Sequence, residues 1–150
     1  MQNKDINIKY KKASYLYEWI NTYVAGMILL GTEIKSIRNG NVSFTDSFCI
    51  FKEDGLYLKS LHIAEYEMGT INNHEPKRDR KLLLTKKQLK KLKKGVSEKG
   101  LTIVPTRLFI NDKGLAKVEI ALAKGKKLFQ KKESIKNRDI ERDTERELNG

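Results

Sequence analysis

The chain has 150 residues, 39% of them hydrophobic, and a formal net charge of +12, which together indicate one small domain that binds a polyanion. Its one cysteine, Cys49, excludes an internal disulfide and a cysteine-based zinc site, so we expect a reducing, cytoplasmic compartment. We expect no secretory signal and no membrane-spanning helix, because the N-terminal residues contain no apolar run and the longest apolar stretch, YVAGMILLG, is too short.

The positive charge is concentrated in one part of the chain. Residues 76–99 contain 11 basic and 2 acidic side chains, whereas residues 1–75 contain 8 basic and 9 acidic ones. Residues 124–150 form a second, mixed block with 9 basic and 6 acidic side chains. This distribution is typical of a dedicated anion-binding surface and not of charge spread evenly for solubility.

The N-terminal half is predicted to be mostly β. Residues 13–20, ASYLYEWI, have the composition of a short helix or strand, and we favour a helix. Residues 22–51 are predicted to form strands, because glycines at positions 26 and 31 interrupt apolar runs as bulges or sharp bends do. Cys49 falls in one of these strands and is expected to be a small buried side chain.

Three turn signals define the remaining strands. Asn39-Gly40 and Asp54-Gly55 are typical turn dipeptides, and an apolar strand follows the second. Residues 102–123 are predicted to form a hairpin with Asn111–Gly114 as its loop, because apolar and polar residues alternate after that loop. Short strands with glycine bends in a small chain favour a mainly β fold with helices, an oligonucleotide-binding-like closed antiparallel barrel of about five strands.

A helix is predicted after LLL at residues 82–84. Thr85 and Gln88 have the spacing of a capping box, and Leu89, Leu92 and Val96 lie on one face. The other faces carry six lysines, two of them in the first turn, where they oppose the helix dipole. Two interpretations fit equally well: the lysines bind an external anion, or they form a solvated helix face.

Catalytic patterns are weak. The two histidines, His62 and His74, fall in a predicted strand and a predicted loop, and acid–base cleavage of RNA would require them to lie together. Nothing in the sequence brings them together, and no phosphate-binding glycine loop or metalloprotease motif is present. We therefore predict that the protein is not an enzyme and has no catalytic residues, cofactor or metal.

Features of RNA binding are more numerous. Arg78, Arg80 and Lys81 directly precede the leucine run, so the core would hold these cations in fixed positions. Near the N-terminus, Lys11 and Lys12 alternate with tyrosines that include Tyr15, a combination that clamps phosphates and stacks unpaired bases. Neither basic block has the large apolar face of a helix at a bilayer surface, so we predict no membrane partner.

The C-terminal block has the pattern of a conditional helix. Gly125 is a candidate hinge, and basic residues recur beyond it at helical spacing: Lys127, Lys131, Arg138, Arg142 and Arg146. Apolar residues there are few and scattered, so we expect this tail to be disordered or partly helical alone and to become helical on a polyanion. The predicted division is an RNA-binding β domain at residues 1–123 and a basic tail at residues 124–150.

Five stretches together resemble a known family. They are KKASYLYEWINTYVAGMILLGTEIKSIRNGN, DSF, EPKRDRKLLL, GLTIVPTRLFINDKGLAKVEIALAKGKK and KKESIKNRD, and they occur in the order found in the SsrA-binding protein family, also called small protein B. The resemblance covers nearly the whole chain. It implies a monomeric oligonucleotide-binding-like barrel with about three flanking helices that binds the tRNA-like domain of transfer-messenger RNA.

The resemblance also implies a role in rescuing stalled ribosomes. Family members deliver transfer-messenger RNA for trans-translation, with elongation factor Tu joined to them indirectly through the RNA. The tail enters the empty messenger channel near the small-subunit decoding site and folds there into a helix. Alternatives are another barrel-type translation or ribosome-assembly factor and a small ribonuclease that uses His62 and His74.

Matching positions identify the residues that the resemblance implies. The RNA contacts would be Lys11, Lys12, Arg78, Arg80, Lys81, Leu83 and Lys117. The ribosome-binding tail would use Gly125, Lys126, Lys127, Phe129, Lys131, Lys132, Lys136 and Arg138, and the helical charge spacing adds Arg142.

Some positions depart from the family pattern. Val24 stands where many members have a glutamate that is important for RNA binding, so that contact does not carry over. Tyr15 replaces a common histidine, which would preserve base stacking but not imidazole chemistry. Phe129 stands where a histidine or tyrosine is frequent, so stacking on a ribosomal base would remain but hydrogen bonding would not.

Overall fold

A computed structural model describes residues 6–68 and 73–126. The helices in these ranges are α1 (Lys12–Leu16), α2 (Gly31–Arg38) and α3 (Lys86–Lys99). The strands are β1 (Asn7–Lys9), β2 (Tyr17–Met27), β3 (Val42–Ser43), β4 (Phe48–Lys52), β5 (Gly55–Lys59), β6 (His62–Ile63), β7 (Arg80–Leu83), β8 (Thr102–Ile110) and β9 (Ala116–Gly125).

The long strands close into a ring. Hydrogen-bonded neighbours follow the order β1-β8-β4-β5-β7-β2-β9, and a further pairing of β8 with β9 closes the ring. The ring in the described part of the chain therefore contains six strands, one more than expected, with β1 added outside β8. All of its pairings are antiparallel. The prediction of a mainly β, closed antiparallel fold with about three helices is confirmed.

Alternation along the strands separates an apolar interior from a polar outer surface. On β5, Leu56 and Leu58 are fully buried, and on β9, Val118 and Ile120 are fully buried. Lys117 lies between inward-facing neighbours and is partly exposed. Each fully buried leucine or isoleucine stabilises the fold by roughly 1.5–3 kcal/mol, so the ring is a rigid support for the side chains on its outside.

Helix α3 has the ends that the sequence predicts. Thr85 Oγ1 accepts a hydrogen bond from the Gln88 N–H at 3.1 Å, and Gln88 Oε1 accepts one from the Thr85 N–H at 3.1 Å. The helix ends at Gly100, whose φ of +65° lies in the left-handed region that favours glycine. Leu92 is fully buried in the core. At Gly95, an added Cβ would lie 2.5 Å from Leu122 Cδ2, so the α3 backbone packs directly on β9.

Two segments differ from the prediction. The helix expected over residues 13–20 ends at Leu16, and Tyr17 begins strand β2. Residues 31–38, predicted as strand, form helix α2 because the Leu30 N–H donates a hydrogen bond to Glu33 Oε1 at 2.8 Å and caps the first turn. Gly31 therefore begins a helix and does not bend a strand.

The turns occur where they are predicted. Asn39-Gly40 forms a turn with φ of +76° at Gly40, although it follows helix α2 and does not join two strands. Asp54-Gly55 joins β4 to β5, which pair as a hairpin. The loop Asn111–Gly114 joins β8 to β9, and its Gly114 N–H donates a hydrogen bond to the Asn111 carbonyl at 2.9 Å.

Strand β9 continues two residues past the predicted domain boundary at residue 123. Gly125 pairs with Tyr17, and the Lys126 N–H donates a hydrogen bond to the Leu16 carbonyl at 3.0 Å. Residues 127–150, which contain most of the predicted tail, lie outside the described residues. None of the helices in the described ranges is long and apolar enough to cross a membrane.

Candidate nucleic-acid interface

Five strands present two parallel rows of side chains to the outside, which we call the sheet outer face. The first row runs across the strands through Leu83, Gly26, Lys117, Phe109 and Asn7. The second row lies beside it and runs through Val24, Glu119, Arg107 and Lys9. Adjacent strands are about 4.8 Å apart, so the first row is about 19 Å wide. This is enough surface for several nucleotides.

At the centre of the first row, two predicted RNA contacts meet over a glycine. A Cβ added to Gly26 would lie 3.3 Å from Leu83 Cβ and 3.6 Å from Lys117 Nζ. Leu83 is 52% exposed although it is a large apolar residue. A side chain at position 26 would crowd Leu83 and touch Lys117, so glycine leaves open the space between this ammonium group and this apolar side chain.

Arg107 is held beside this centre by three contacts. Its Nε donates a hydrogen bond to Glu119 Oε2 at 3.1 Å, and its Nη1 lies 3.5 Å from Asn7 Oδ1. The guanidinium carbon lies 4.2 Å from the centroid of the Phe109 ring. An arginine oriented in this way presents a planar donor group to a phosphate or a base. Arg107 is not among the predicted contacts, although the hairpin register that follows from the predicted loop places it beside Glu119.

Lys11 and Lys12 lie at the start of α1 and are both exposed. A cleft of about 410 Å³ connects Lys11 with the second row, since its lining includes Lys9, Lys11, Trp19 and Arg107. The structure therefore brings Lys11 to the same edge of the ring as the sheet outer face.

Tyr15 is a correction to the prediction. Helix α1 turns Tyr15 into the interior, where it is only 5% exposed. A base cannot stack on a ring that is already covered, so the prediction of base stacking by Tyr15 is wrong. Trp19, at the start of β2, is the accessible aromatic residue nearby, with 39% exposure.

Arg80 is a second correction. Its side chain is fully buried, and its Nε donates a hydrogen bond to Glu33 Oε2 at 2.5 Å. Its Nη1 and Nη2 donate to the carbonyls of Leu61 at 2.7 Å and Pro76 at 3.0 Å. All three nitrogens thus have protein partners, so Arg80 supports the fold and does not contact RNA. In the sequence, Arg80 and Leu82 alternate with Lys81 and Leu83. This period of two was the signal that Arg80 lies on the same, buried side of the strand as Leu82.

The buried carboxylate of Glu33 is the centre of this network. Burial opposes its ionisation, but hydrogen bonds from Arg78 and the Leu30 N–H, together with the charge of Arg80, hold the pKa of Glu33 below its usual value. Burial also lowers the pKa of Arg80, against the attraction of Glu33. The network joins α2 to the segment before β7. It thereby fixes the position of β7, the strand that carries Leu83.

Arg78 and Lys81 are less buried than the Glu33 network and less exposed than Leu83. Arg78 Nη2 is 2.6 Å from Glu33 Oε1, yet its side chain is 31% exposed. Lys81 points outward on β7, with its Nζ 3.5 Å from Asp54 Oδ2. A hydrogen bond from Tyr57 is the main cause that lowers the pKa of Asp54; desolvation opposes it, and the charge of Lys81 lowers the pKa further. Both cations are accessible, and both already have a carboxylate partner.

The histidines do not form an acid–base pair in this structure. His74 is 3% exposed, its Nδ1 is 2.8 Å from Thr32 Oγ1, and its Nε2 is 2.8 Å from the Ile63 carbonyl. Both ring nitrogens are within hydrogen-bond distance of protein oxygens, so neither is free to act on a substrate. The ribonuclease alternative is therefore without support. In the described ranges, no three His, Cys, Asp or Glu side chains are grouped as a metal site requires. Cys49 is buried, and burial raises the pKa of its thiol.

Of the predicted tail residues, two are described. Gly125, expected to be a hinge, lies in β9. Lys126 Nζ donates a hydrogen bond to the Ser14 carbonyl at 2.9 Å, so this lysine fastens the end of β9 to α1. The other predicted contacts lie outside the described residues: Lys127, Phe129, Lys131, Lys132, Lys136, Arg138 and Arg142.

Comparison with known proteins identifies the family. Residues 7–150 match the family model described as SmpB protein. The SsrA-binding protein of Bacteroides thetaiotaomicron is 55% identical over 146 residues, covering 97% of each chain, and that of Thermosipho melanesiensis is 49% identical over 140 residues, covering 93% of this chain and 95% of the relative.

A solved structure gives the same result. A chain from the work described as "tmRNA-SmpB: a journey to the center of the bacterial ribosome" is 45% identical, with a TM-score of 0.71, and the match covers 87% of this chain and 94% of that one. Sequence and fold agree over nearly the whole length. The chain therefore belongs to the SmpB family of SsrA-binding proteins.

Proposed function

We propose that the protein binds the tRNA-like domain of transfer-messenger RNA and delivers it to stalled ribosomes for trans-translation. The relatives' name, SsrA-binding protein, and the tmRNA-SmpB structure both support this function. The observation in the molecule that carries it is the meeting of Leu83 and Lys117 over Gly26, beside an oriented Arg107. The protein acts as a binding factor, in the cytoplasm, and its partners are the RNA and the ribosome.

The chemistry of the sheet outer face suits a folded RNA. Lys117 and Arg107 supply charge for phosphates, and phosphate contacts determine position more than sequence. The exposed Leu83, beside the open space at Gly26, offers an apolar side chain against which a ribose or a base packs. Since these groups stand on paired strands, little conformational entropy is lost when RNA binds.

Glu119 has a specific role in this proposal. It is the cross-strand partner of Val24, the position at which many family members have a glutamate. A carboxylate is thus present one strand away from the usual place. We assign to Glu119 the task of orienting Arg107, whose Nε is 3.1 Å from it, and of accepting hydrogen bonds from the RNA with its remaining lone pairs.

The remaining predicted residues extend the contact area. Lys11, Lys12, Arg78 and Lys81 would meet phosphates at the edges of the sheet outer face, while Arg80 acts through the position of β7. Gly125 and Lys126 connect the ring to the tail. Residues 127–150 would enter the vacant messenger channel and fold there on ribosomal RNA, with elongation factor Tu joined to the complex only through transfer-messenger RNA.

Removal of residues 128–150 tests this division of labour. We expect the truncated protein to bind the tRNA-like domain with the affinity of the full chain, since every described contact is retained, and to lose tagging of stalled nascent chains. Both are measured in parallel, by RNA equilibrium binding and by a reconstituted tagging assay. Loss of RNA binding in the truncated chain would contradict the assignment of RNA recognition to the ring.

A further inference from the structure

Helix α3 carries a surface of exposed lysines, which we call the α3 lysine face. Its members are Lys86, Lys87, Lys90, Lys91, Lys93, Lys94 and Lys99. Among the residues that the structure describes, no carboxylate forms an ion pair with any of them. By contrast, Lys52, Lys81 and Arg107 each lie within 3.5 Å of a carboxylate oxygen. The α3 lysines therefore differ from these three cations.

The arrangement of these lysines works against the helix itself. Like charges stand four residues apart at Lys86 and Lys90, at Lys87 and Lys91, and at Lys90 and Lys94, and such pairs destabilise a helix. Lys86 and Lys87 also occupy the first turn, at the positive end of the dipole, where no acidic residue is present. The capping box and the packing of Leu92 keep the helix folded despite this repulsion. A polyanion that binds here would remove the repulsion, and so would bind favourably.

A groove lies between the α3 lysine face and strand β2. It has a volume of about 320 Å³, with Lys91, Lys94 and Lys99 on one wall and Ile20, Asn21 and Tyr23 on the other. Ile20 is 48% exposed although it is apolar. A wall of ammonium groups that faces an apolar and aromatic wall suits a nucleic-acid strand, which has phosphates on one side and bases on the other.

This surface adjoins the sheet outer face at the end of β7 and along β2. Helix α3 begins three residues after Leu83, and β2 carries both Gly26 on the sheet outer face and Ile20 in the groove. The 14 residues of α3 extend the basic surface by about 21 Å, which is several phosphate spacings. The first lysine of α3 is therefore at most about 11 Å along the chain from Leu83.

We propose that the α3 lysine face and the groove beside β2 bind the phosphate backbone of the same RNA that the sheet outer face binds. This inference rests on the proposed function and enlarges its binding surface. The partner is RNA and not a lipid surface, because Leu92 of α3 is directed into the core and leaves no apolar helix face for a bilayer.

The test replaces three groove lysines in the full chain: Lys91→Gln, Lys94→Gln and Lys99→Gln together. Its matched control replaces three exposed lysines outside α3, namely Lys35→Gln, Lys77→Gln and Lys113→Gln, with the same change in net charge. The probe is the isolated tRNA-like domain of transfer-messenger RNA, titrated from low to high salt. We expect the groove variant to lose about 10–100-fold in affinity near physiological salt and its log–log salt slope to fall by roughly 2–3.

The control variant should change affinity less than about threefold and leave the slope unaltered. The corresponding Lys→Arg groove variant should restore binding, because it keeps the charge. Circular dichroism and thermal unfolding verify folding, and the groove variant should be as stable as the wild type or more so, since repulsion is removed.

Three outcomes would overturn the inference. In the first, the groove variant binds the RNA with the wild-type salt slope. In the second, the control variant loses as much affinity as the groove variant. In the third, the groove variant binds the isolated RNA normally and loses only ribosome binding. In the last case α3 contacts ribosomal RNA. Failure of the proposed function is a separate result, in which the wild type shows no preference for the tRNA-like domain over an unrelated RNA of equal length.

Discussion

The two sides of strand β7 show how one basic run is divided between folding and binding. On the inner side, Arg80 is fully buried against Glu33. On the outer side, Leu83 is 52% exposed and lies beside Lys117 across Gly26. Adjacent residues of the run EPKRDRKLLL thus meet opposite environments. The inner side places a charge where an apolar residue is usual, and the outer side places an apolar residue where a charge is usual.

This inversion has a physical explanation in the position of β7. Arg80 donates hydrogen bonds to Glu33, Leu61 and Pro76, so it holds together three segments that the strand ladder does not join. A buried ion pair of this kind does little for net stability compared with apolar packing, but removal of one partner leaves an uncompensated charge. The inner side therefore fixes where β7 lies, and the outer side uses that position to present Leu83 to RNA.

The largest expected effect is on stability, from Arg80→Met. The substitution leaves Glu33 buried with only Arg78 as a cationic partner, and we expect a loss of about 3–5 kcal/mol in the free energy of unfolding. Chemical denaturation measures it, with the exposed Arg38→Met as the matched control, for which we expect less than about 0.5 kcal/mol. If Arg80→Met unfolded like the wild type but lost RNA affinity, Arg80 would have to contact RNA directly.

The next effect is on binding, from Leu83→Ala combined with Lys117→Gln. Both residues are on the outer side, so we expect the unfolding free energy to change by less than about 1 kcal/mol. RNA affinity should fall by roughly 10–100-fold, or about 1.4–2.8 kcal/mol, because a desolvated apolar contact and a phosphate contact are lost together. Titration of the tRNA-like domain measures this. A control with Leu115→Ala and Lys113→Gln, exposed residues beside the hairpin loop, should bind normally.

Local patterns accounted for much of the fold. The capping box of Thr85 and Gln88, the loop Asn111–Gly114 and the alternation in β9 involve residues close together in sequence, and each was predicted correctly. Helix α2 was not, because the carboxylate that caps its start, on Glu33, is held in place by Arg78 and Arg80, more than 40 residues away. Hydrophobic periodicity does not report such a distant partner.

In the candidate interface, too, residues that depend on distant partners were not predictable from local patterns. Leu83 and Lys117 were predicted as RNA contacts only through the family resemblance, because their proximity depends on the register of β7, β2 and β9. Arg107 was missed for the same reason, since its value as a binding residue comes from Glu119, Asn7 and Phe109 on three sides. Tyr15 was misplaced because a tyrosine in a short amphipathic helix is equally consistent with core and surface until the packing of that helix is known.

The smallest expected effect is a pH dependence of the inner side. The pKa of Glu33 in the folded protein is lower than its ordinary value of 4.5, so its ionised form stabilises the fold above that value, and this contribution is lost as the pH falls through the lower folded pKa. In Glu33→Gln the contribution is absent at every pH. We therefore expect the difference in unfolding free energy between wild type and Glu33→Gln to be greatest near pH 7 and to narrow by pH 3.

The pKa values of Asp54 and Asp79 are also lowered, but both groups are present in both proteins and cancel in the difference. The exposed Glu53→Gln serves as the matched control and should show no such narrowing. A difference that stays constant from pH 7 to pH 3 would mean that Glu33 acts through its shape and hydrogen bonds alone, and that the charge of the Arg80 pair does not fix β7.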